Sequence, residues 1–224
     1  RTGLASARGL YMNQRLVDAK DARVFEASQR LLINRALDAA VFENTPLQVL
    51  DEGLPYDRCL VGVLTDMPDH TGLQDHDVQT PEQVRQVVRT QIDLVLPEGV
   101  AVLNAEDPAL VDMAHLCDGE VIYHAHDANH PTIVSHLAQQ GRAVVRQQNQ
   151  VLLLNGPHSQ ALLDLDFPAI AKQLKDGVIH PDNLLAAVAV AWALALSPDL
   201  IRAGLKNYGQ PAAMANVDLA RIKT

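Results

Sequence analysis

A few side chains stand where their type and setting could do chemistry. Asp69 and His70 follow an apolar run at 60–64. In open α/β sheets ligands bind beyond the carboxyl ends of strands, where a carboxylate or imidazole can reach a magnesium ion or its waters. Glu43 follows a second apolar run, 39–42, in the same way and is a candidate metal ligand. Asn104 and Asp107 end a third run, and Asp107 before Pro108 also has the form of an ordinary helix cap. Asn183 opens a long apolar stretch, as a cap or as a ligand-contacting amide. Each residue has a bland use, a solvated carboxylate or a loop cap. Several polar groups on one sheet edge carry more weight than any one of them.

Nine histidines raise the question of metal, and His124, His126 and His130 crowd around Asp127. An H-x-H pair without a cysteine partner has the spacing of a surface loop as much as of a site, so a small metal-binding module is the lesser reading. Cys59 and Cys117 are the only cysteines, too few for a disulfide framework and without paired zinc spacing. They suit a reducing, cytoplasmic setting. For phosphate, the residue types to look for are glycines opening a helix, because free N–H groups there cradle an anion. Neither G-x-x-x-x-G-K-[ST] nor G-x-G-x-x-G occurs in these residues, and the glycines are scattered at turns.

The elements that must position these groups alternate in type. Periodicity predicts a helix over 24–37, a short buried strand over 39–42 and a strand over 60–64. A helix follows from Pro81 to about Ile92, opened by Thr80 as cap, proline at the first position and Glu82 in the first turn. A strand over 100–103, a helix over 108–116 and a strand over 120–123 continue the rhythm. Such alternation predicts an α/β fold, a mostly parallel doubly wound sheet with helices on both faces. Between 142 and 167, short apolar runs around Asn155-Gly156-Pro157 predict an added antiparallel β-element. Asp182 precedes a helix over 183–196 that is apolar nearly all round, and Ser197-Pro198 opens another to about Asn207.

Composition narrows the class. With 48% apolar and 4% aromatic residues the core must be aliphatic. A net charge of −9 without a sustained Lys/Arg run supplies no positive field for nucleic acid. No apolar window is long enough to span a bilayer.

Four stretches together resemble the Mur-ligase domain of cyanophycin synthetases. They are L-V-G-V-L-T-D-M-P-D-H-T-G-L over 60–73, V-L-P-E-G-V-A-V-L-N-A-E-D-P over 95–108, D-N-L-L-A-A over 182–187 and L-I-R-A-G-L over 200–205. The resemblance covers 1–209 as a Mur-ligase-like central domain lacking the phosphate-loop segment. It makes 210–224 a linker or the start of a missing C-terminal domain. It implies ATP and Mg2+ as cofactors and an ATP-dependent ligase that phosphorylates a carboxylate and lets an amine attack the acyl phosphate. The polymer so extended joins aspartate and arginine. By motif, Glu43 and His70 match metal-linked residues, Asn183 the adenine-contacting asparagine, and Asn104 and Asp107 the nucleotide edge. The implied partners are the missing N- and C-terminal domains of a larger synthetase-like protein, and further copies of itself in a homo-oligomer.

The departures fall on chemical positions. Relatives carry E-T-A-R-G-G where this chain has E-N-T-P-L-Q over 43–48, and N-x-x-x-D-H where it begins with Thr65. Their T-S-T-D-G reads A-S-A-R-G over 5–9, their D-T-T-G reads D-A-R-V over 21–24, and a lysine of theirs is replaced by Val88. Scaffold positions persist while chemical ones drift. The expectation is therefore a ligase-type domain inactive by itself, the alternative being a non-catalytic domain with a structural or assembly role.

Overall fold

The computed structural model describes residues 1–208, so the expected linker at 210–224 lies outside the described residues. The chain divides into two compact units, the first Arg1–Ile122 and the second from Tyr123 onward.

The first unit opens with three strands that the sequence reading did not anticipate: β1 (Thr2–Ser6), β2 (Gly9–Met12) and β3 (Arg15–Asp18). β2 and β3 are antiparallel with Met12 opposite Arg15. The two residues between them, Asn13 and Gln14, have φ of 50° and 68°. Positive φ at both positions matches the turn twist that flanking strands prefer. Helix α1 (Phe25–Leu32) and strand β4 (Ala39–Phe42) follow. β4 pairs in parallel with β1, completing the order β3-β2-β1-β4.

Two expectations are corrected here. Helix α1 stops five residues before 37, because the Asn34 side chain accepts the Ala36 N–H at 3.0 Å and turns the chain. Strand β4 is not buried: it is the last strand in its order and Val41 is 48% exposed. The core of this sheet is Ala5, Leu10, Ala22, Ala27 and Leu31, with Met12, Leu37, Ala40 and Phe42 packed against it.

The rest of the unit holds α2 (Pro46–Glu52), β5 (Cys59–Leu64), α3 (Pro81–Val88), α4 (Thr90–Asp93), β6 (Val95–Asn104) and α5 (Pro108–Val111). Strand β5 runs parallel to β6 with Val63 opposite Val102. From Ala101 to Leu103, β6 is fully buried. Thr80 caps α3 as expected, and the structure adds a capping box with Gln83. The helix expected to reach Ile92 instead breaks at Arg89, where the Thr90 hydroxyl donates to the Val87 carbonyl at 2.8 Å and competes with the helical ladder. The helix expected over 108–116 likewise ends at Val111 and gives way to a 3-10 turn, Ala114–Leu116. Gly62 lets α4 approach β5 closely: a Cβ there would lie 2.3 Å from the Gln91 carbonyl oxygen.

Strand β7 (Glu120–Ala125) leads into the second unit. There α6 (Pro131–Ala138) precedes an antiparallel ribbon of β8 (Arg142–Gln147), β9 (Gln150–Asn155) and β10 (His158–Asp164). This is the β-element expected from Asn155-Gly156, and Gly156 takes a φ of 51° in its turn. Helices α7 (Pro168–Lys175), α8 (Pro181–Ala193) and α9 (Pro198–Lys206) complete it. Helix α8 begins earlier than expected: His180 is its cap, and Asp182 sits in the first turn. Leu184, Leu185, Ala186, Val188 and Ala189 are its buried residues.

The chain thus has the α/β fold expected from its alternation of strands and helices, with an aliphatic core. Among the described residues no helix is long and apolar enough to cross a membrane.

Candidate functional site

In the first unit a cleft of about 300 Å³ opens between the end of β4 and the end of β5. Phe42, Glu43 and Asn44 line it from the β4 end, Thr65 and Asp66 from the β5 end, and Gln91 of α4 is also part of the lining. The position follows from sequence: both strands end there, and each is followed by polar residues.

The amide of Asn44 donates to the Tyr56 hydroxyl at 3.0 Å and to Gln91 Oε1 at 3.1 Å. The Tyr56 hydroxyl donates to the same Gln91 oxygen at 3.4 Å. Tyr56 also stacks on Phe42 with ring centroids 5.5 Å apart, and burial pushes its phenol pKa up. Sequence reasoning missed this network, whose members lie 12 to 47 residues apart.

Of the cleft's carboxylates, Glu43 and Asp66, Glu43 is the one the resemblance singles out, and both of its oxygens are engaged. Oε2 accepts the Ala7 N–H at 2.9 Å. Oε1 faces the Arg23 guanidinium at 3.4 Å. Arg23 in turn forks onto Asp21, with Nη2 to Oδ2 at 2.7 Å and Nε to Oδ1 at 3.0 Å. That hydrogen bond holds the Asp21 carboxyl below its ordinary range and, with Glu43 adding to it, raises the guanidinium. Arg23 was not among the candidates.

At the end of β6, Asn104 donates from Nδ2 to the Thr65 carbonyl at 3.1 Å and accepts the Glu106 N–H at 2.9 Å. Asp107 caps α5 by accepting the Ala109 N–H at 2.9 Å, and its other oxygen accepts the Met67 N–H at 3.1 Å. Both side chains therefore tie the end of β6 to the segment that follows β5. His70 is half-buried on that segment, and Asp69 accepts the Thr71 N–H at 2.8 Å, which lowers the Asp69 pKa. Glu43, the β5 segment with His70, Asn104 and Asp107 are thus all in the first unit. Asn183 belongs to the second, exposed in the first turn of α8.

Within the histidine cluster, His126 and His130 lie in the loop expected after the strand, whereas His124 does not. His124 lies fully buried on β7, with neither ring nitrogen hydrogen-bonded, and burial pushes its pKa down to about 4. His126 pairs through Nε2 with the Asp182 carboxylate, and His180 Nδ1 lies 3.3 Å from the same carboxylate. His130 caps α6. Among the described residues no group of three or more His, Cys, Asp or Glu side chains converges to hold a metal.

A magnesium ion does not fit the residues that the resemblance offers it. Glu43 already has a guanidinium on one oxygen and a backbone N–H on the other, and a hard dication needs several free oxygens.

Cyanophycin synthetase from Synechocystis sp. is 30% identical over 209 residues, which is 92% of this chain and 23% of the relative. The enzyme of that name from Geminocystis herdmanii is 29% identical over 212 residues, 94% of this chain and 24% of the relative. The chain therefore spans about a quarter of the length of the curated relatives it matches. No family model matches it. A MurF structure from Acinetobacter baumannii aligns with a TM-score of 0.50 at 17% identity, over 84% of this chain and 38% of that one. A second MurF structure from the same organism gives 0.50 at 16% over 80% and 36%. These structural likenesses establish the fold. Along 92% of its length the chain is similar to a segment of the cyanophycin synthetases, and the likeness to MurF in fold fits a partial Mur-ligase-like α/β domain.

Proposed function

We propose that this chain is a ligase-like domain that keeps the architecture of its relatives without their nucleotide chemistry. It serves as a non-catalytic, structural part of a larger cytoplasmic synthetase-like protein that assembles as a homo-oligomer. The domain covers 1–209, with 210–224 leading to a further domain. The observation that carries this reading is the state of Glu43. ATP-driven activation of a carboxylate needs divalent charge to neutralise the transferring phosphoryl group, and here the matching carboxylate is satisfied by Arg23 and Ala7. Asn104 and Asp107 support the same reading, since both are engaged by neighbouring backbone.

A second reading is favoured by the 30% identity that runs along 92% of the chain. In it the parent protein is an ATP-dependent amide ligase that adds amino acids to an aspartate and arginine polymer. Glu43 and His70 hold metal, Asn183 contacts adenine, and Asn104 and Asp107 lie along the nucleotide. Two measurements separate the readings. The purified chain with ATP, Mg2+, a polyaspartate primer and arginine is expected to release no phosphate above the protein-free rate, and titration calorimetry with a non-hydrolysable ATP analogue is expected to give no micromolar binding. Steady phosphate release, or micromolar binding lost in Asn183→Ala, overturns the non-catalytic reading.

A further inference from the structure

We infer that the Arg23 guanidinium is a built-in cation at the end of β4, which holds the Glu43 carboxylate and keeps a divalent ion from it. The inference rests on the non-catalytic reading above and gives it a physical cause.

Arg23 is fixed at both ends. Its backbone N–H donates to Asp21 Oδ1 at 3.0 Å, and the neighbouring Ala22, 3% exposed, donates its N–H to the Ser6 carbonyl at 3.0 Å. Its head forks onto Asp21 and leaves Nη1 pointing at Glu43. Held this way, the guanidinium bridges a carboxylate just before α1 and a carboxylate at the end of β4. Its side chain is 31% exposed, less than Asp21 at 51% or Glu43 at 46%. Ala7 takes the remaining Glu43 oxygen from the β1–β2 turn.

The chemistry of an arginine in this place differs from that of a metal. A guanidinium stays charged at every accessible pH and cannot be chelated away. It neutralises a carboxylate permanently but offers no open coordination position for water or phosphate. A second cation brought to Glu43 would also meet the guanidinium's charge at close range. One side chain therefore supplies the charge balance and removes the metal chemistry.

Mn2+, a spectroscopic probe that substitutes for magnesium at oxygen sites, tests this directly. The whole chain, without nucleotide, is titrated and free Mn2+ is read by electron paramagnetic resonance. The wild-type protein is expected to show no saturable site tighter than about 1 mM, the weak end of oxygen-ligand affinities. Arg23→Ala and Arg23→Met should gain a site at least about tenfold tighter, the scale expected when one adjacent charge is removed. Glu43→Gln in either background should abolish the gain. Arg23→Lys, still cationic, should gain nothing, and Arg23→Met retains the apolar stem in case the alanine variant folds poorly. A wild-type Mn2+ site lost in Glu43→Gln overturns the inference, as does a folded Arg23→Met protein that binds no more Mn2+ than wild type. The titration omits ATP, so phosphate release in the activity assay would sink the non-catalytic reading alone.

Discussion

The ends of β4 and β6 both carry polar residues that the family resemblance singles out, yet they satisfy them with opposite partners. At β6, Asn104 and Asp107 bind only uncharged backbone groups: Thr65, Glu106, Met67 and Ala109. At β4, Glu43 divides its carboxylate between one backbone N–H and a guanidinium. The first arrangement is part of the scaffold, because it fastens two parallel strand ends together. The second is an exposed charge balance, on which the fold depends little. Stability should separate the two, and the ranking below is the way to break the comparison.

Asp107→Ala should cost the most. It removes a helix cap and leaves the Met67 N–H without its acceptor, together about 2 to 3 kcal/mol. Urea unfolding followed by circular dichroism checks it; a loss under about 0.5 kcal/mol would make Asp107 a free functional carboxylate instead. Asn104→Ala removes two neutral hydrogen bonds and should cost about 1 to 2 kcal/mol. If Asn104→Ala and Asp107→Ala fasten the same segment, the double variant will lose less than the sum of the singles.

What the sequence made legible follows the range of the signal. Thr80 with Pro81 and Glu82, and Asn155 with Gly156, are local chemistry, and both features formed where expected. The same proline signal was available and unused at Thr45-Pro46, His130-Pro131 and Phe167-Pro168, which open α2, α6 and α7. The β2–β3 turn was harder to see, because Asn13 and Gln14 take positive φ without a glycine. The resemblance pointed to Glu43, but nothing local joins it to Arg23, 20 residues earlier. Their meeting depends on β1 pairing with β4, which brings the β1–β2 turn and the start of α1 to one strand end. His124 was misread for a similar reason: only the burial of β7 turns a surface-looking H-x-H into a neutral interior imidazole.

At the β4 end the effects should be smaller. Arg23→Ala is expected to cost about 0.5 to 1 kcal/mol in low salt and less in high salt, as partly exposed ion pairs do. A loss that does not shrink between low and high salt would place Arg23 with the scaffold and erase the contrast with β6.

The finest test uses acid. Arg23 lowers the Asp21 pKa from 3.8. A depressed folded-state value means that the unfolded chain binds the proton more readily, so this contribution is complete above the unfolded pKa and fades as pH falls through the folded one. His124 acts earlier: with a folded pKa of about 4 against 6.5 unfolded, it removes stability as pH falls from 6.5 towards 4, in wild type and Arg23 variants alike. The difference between wild type and Arg23→Ala is therefore expected to be flat from neutral pH to about 5, where Asp21 is ionised in both states. Below about 4 it should shrink towards zero. Urea midpoints taken at half-unit steps between pH 7 and 3 would show it. A difference that instead closed between pH 6.5 and 5 would tie Arg23 to a histidine rather than to Asp21 and Glu43, and the ion pairs at the end of β4 would not be what the arginine is there to hold.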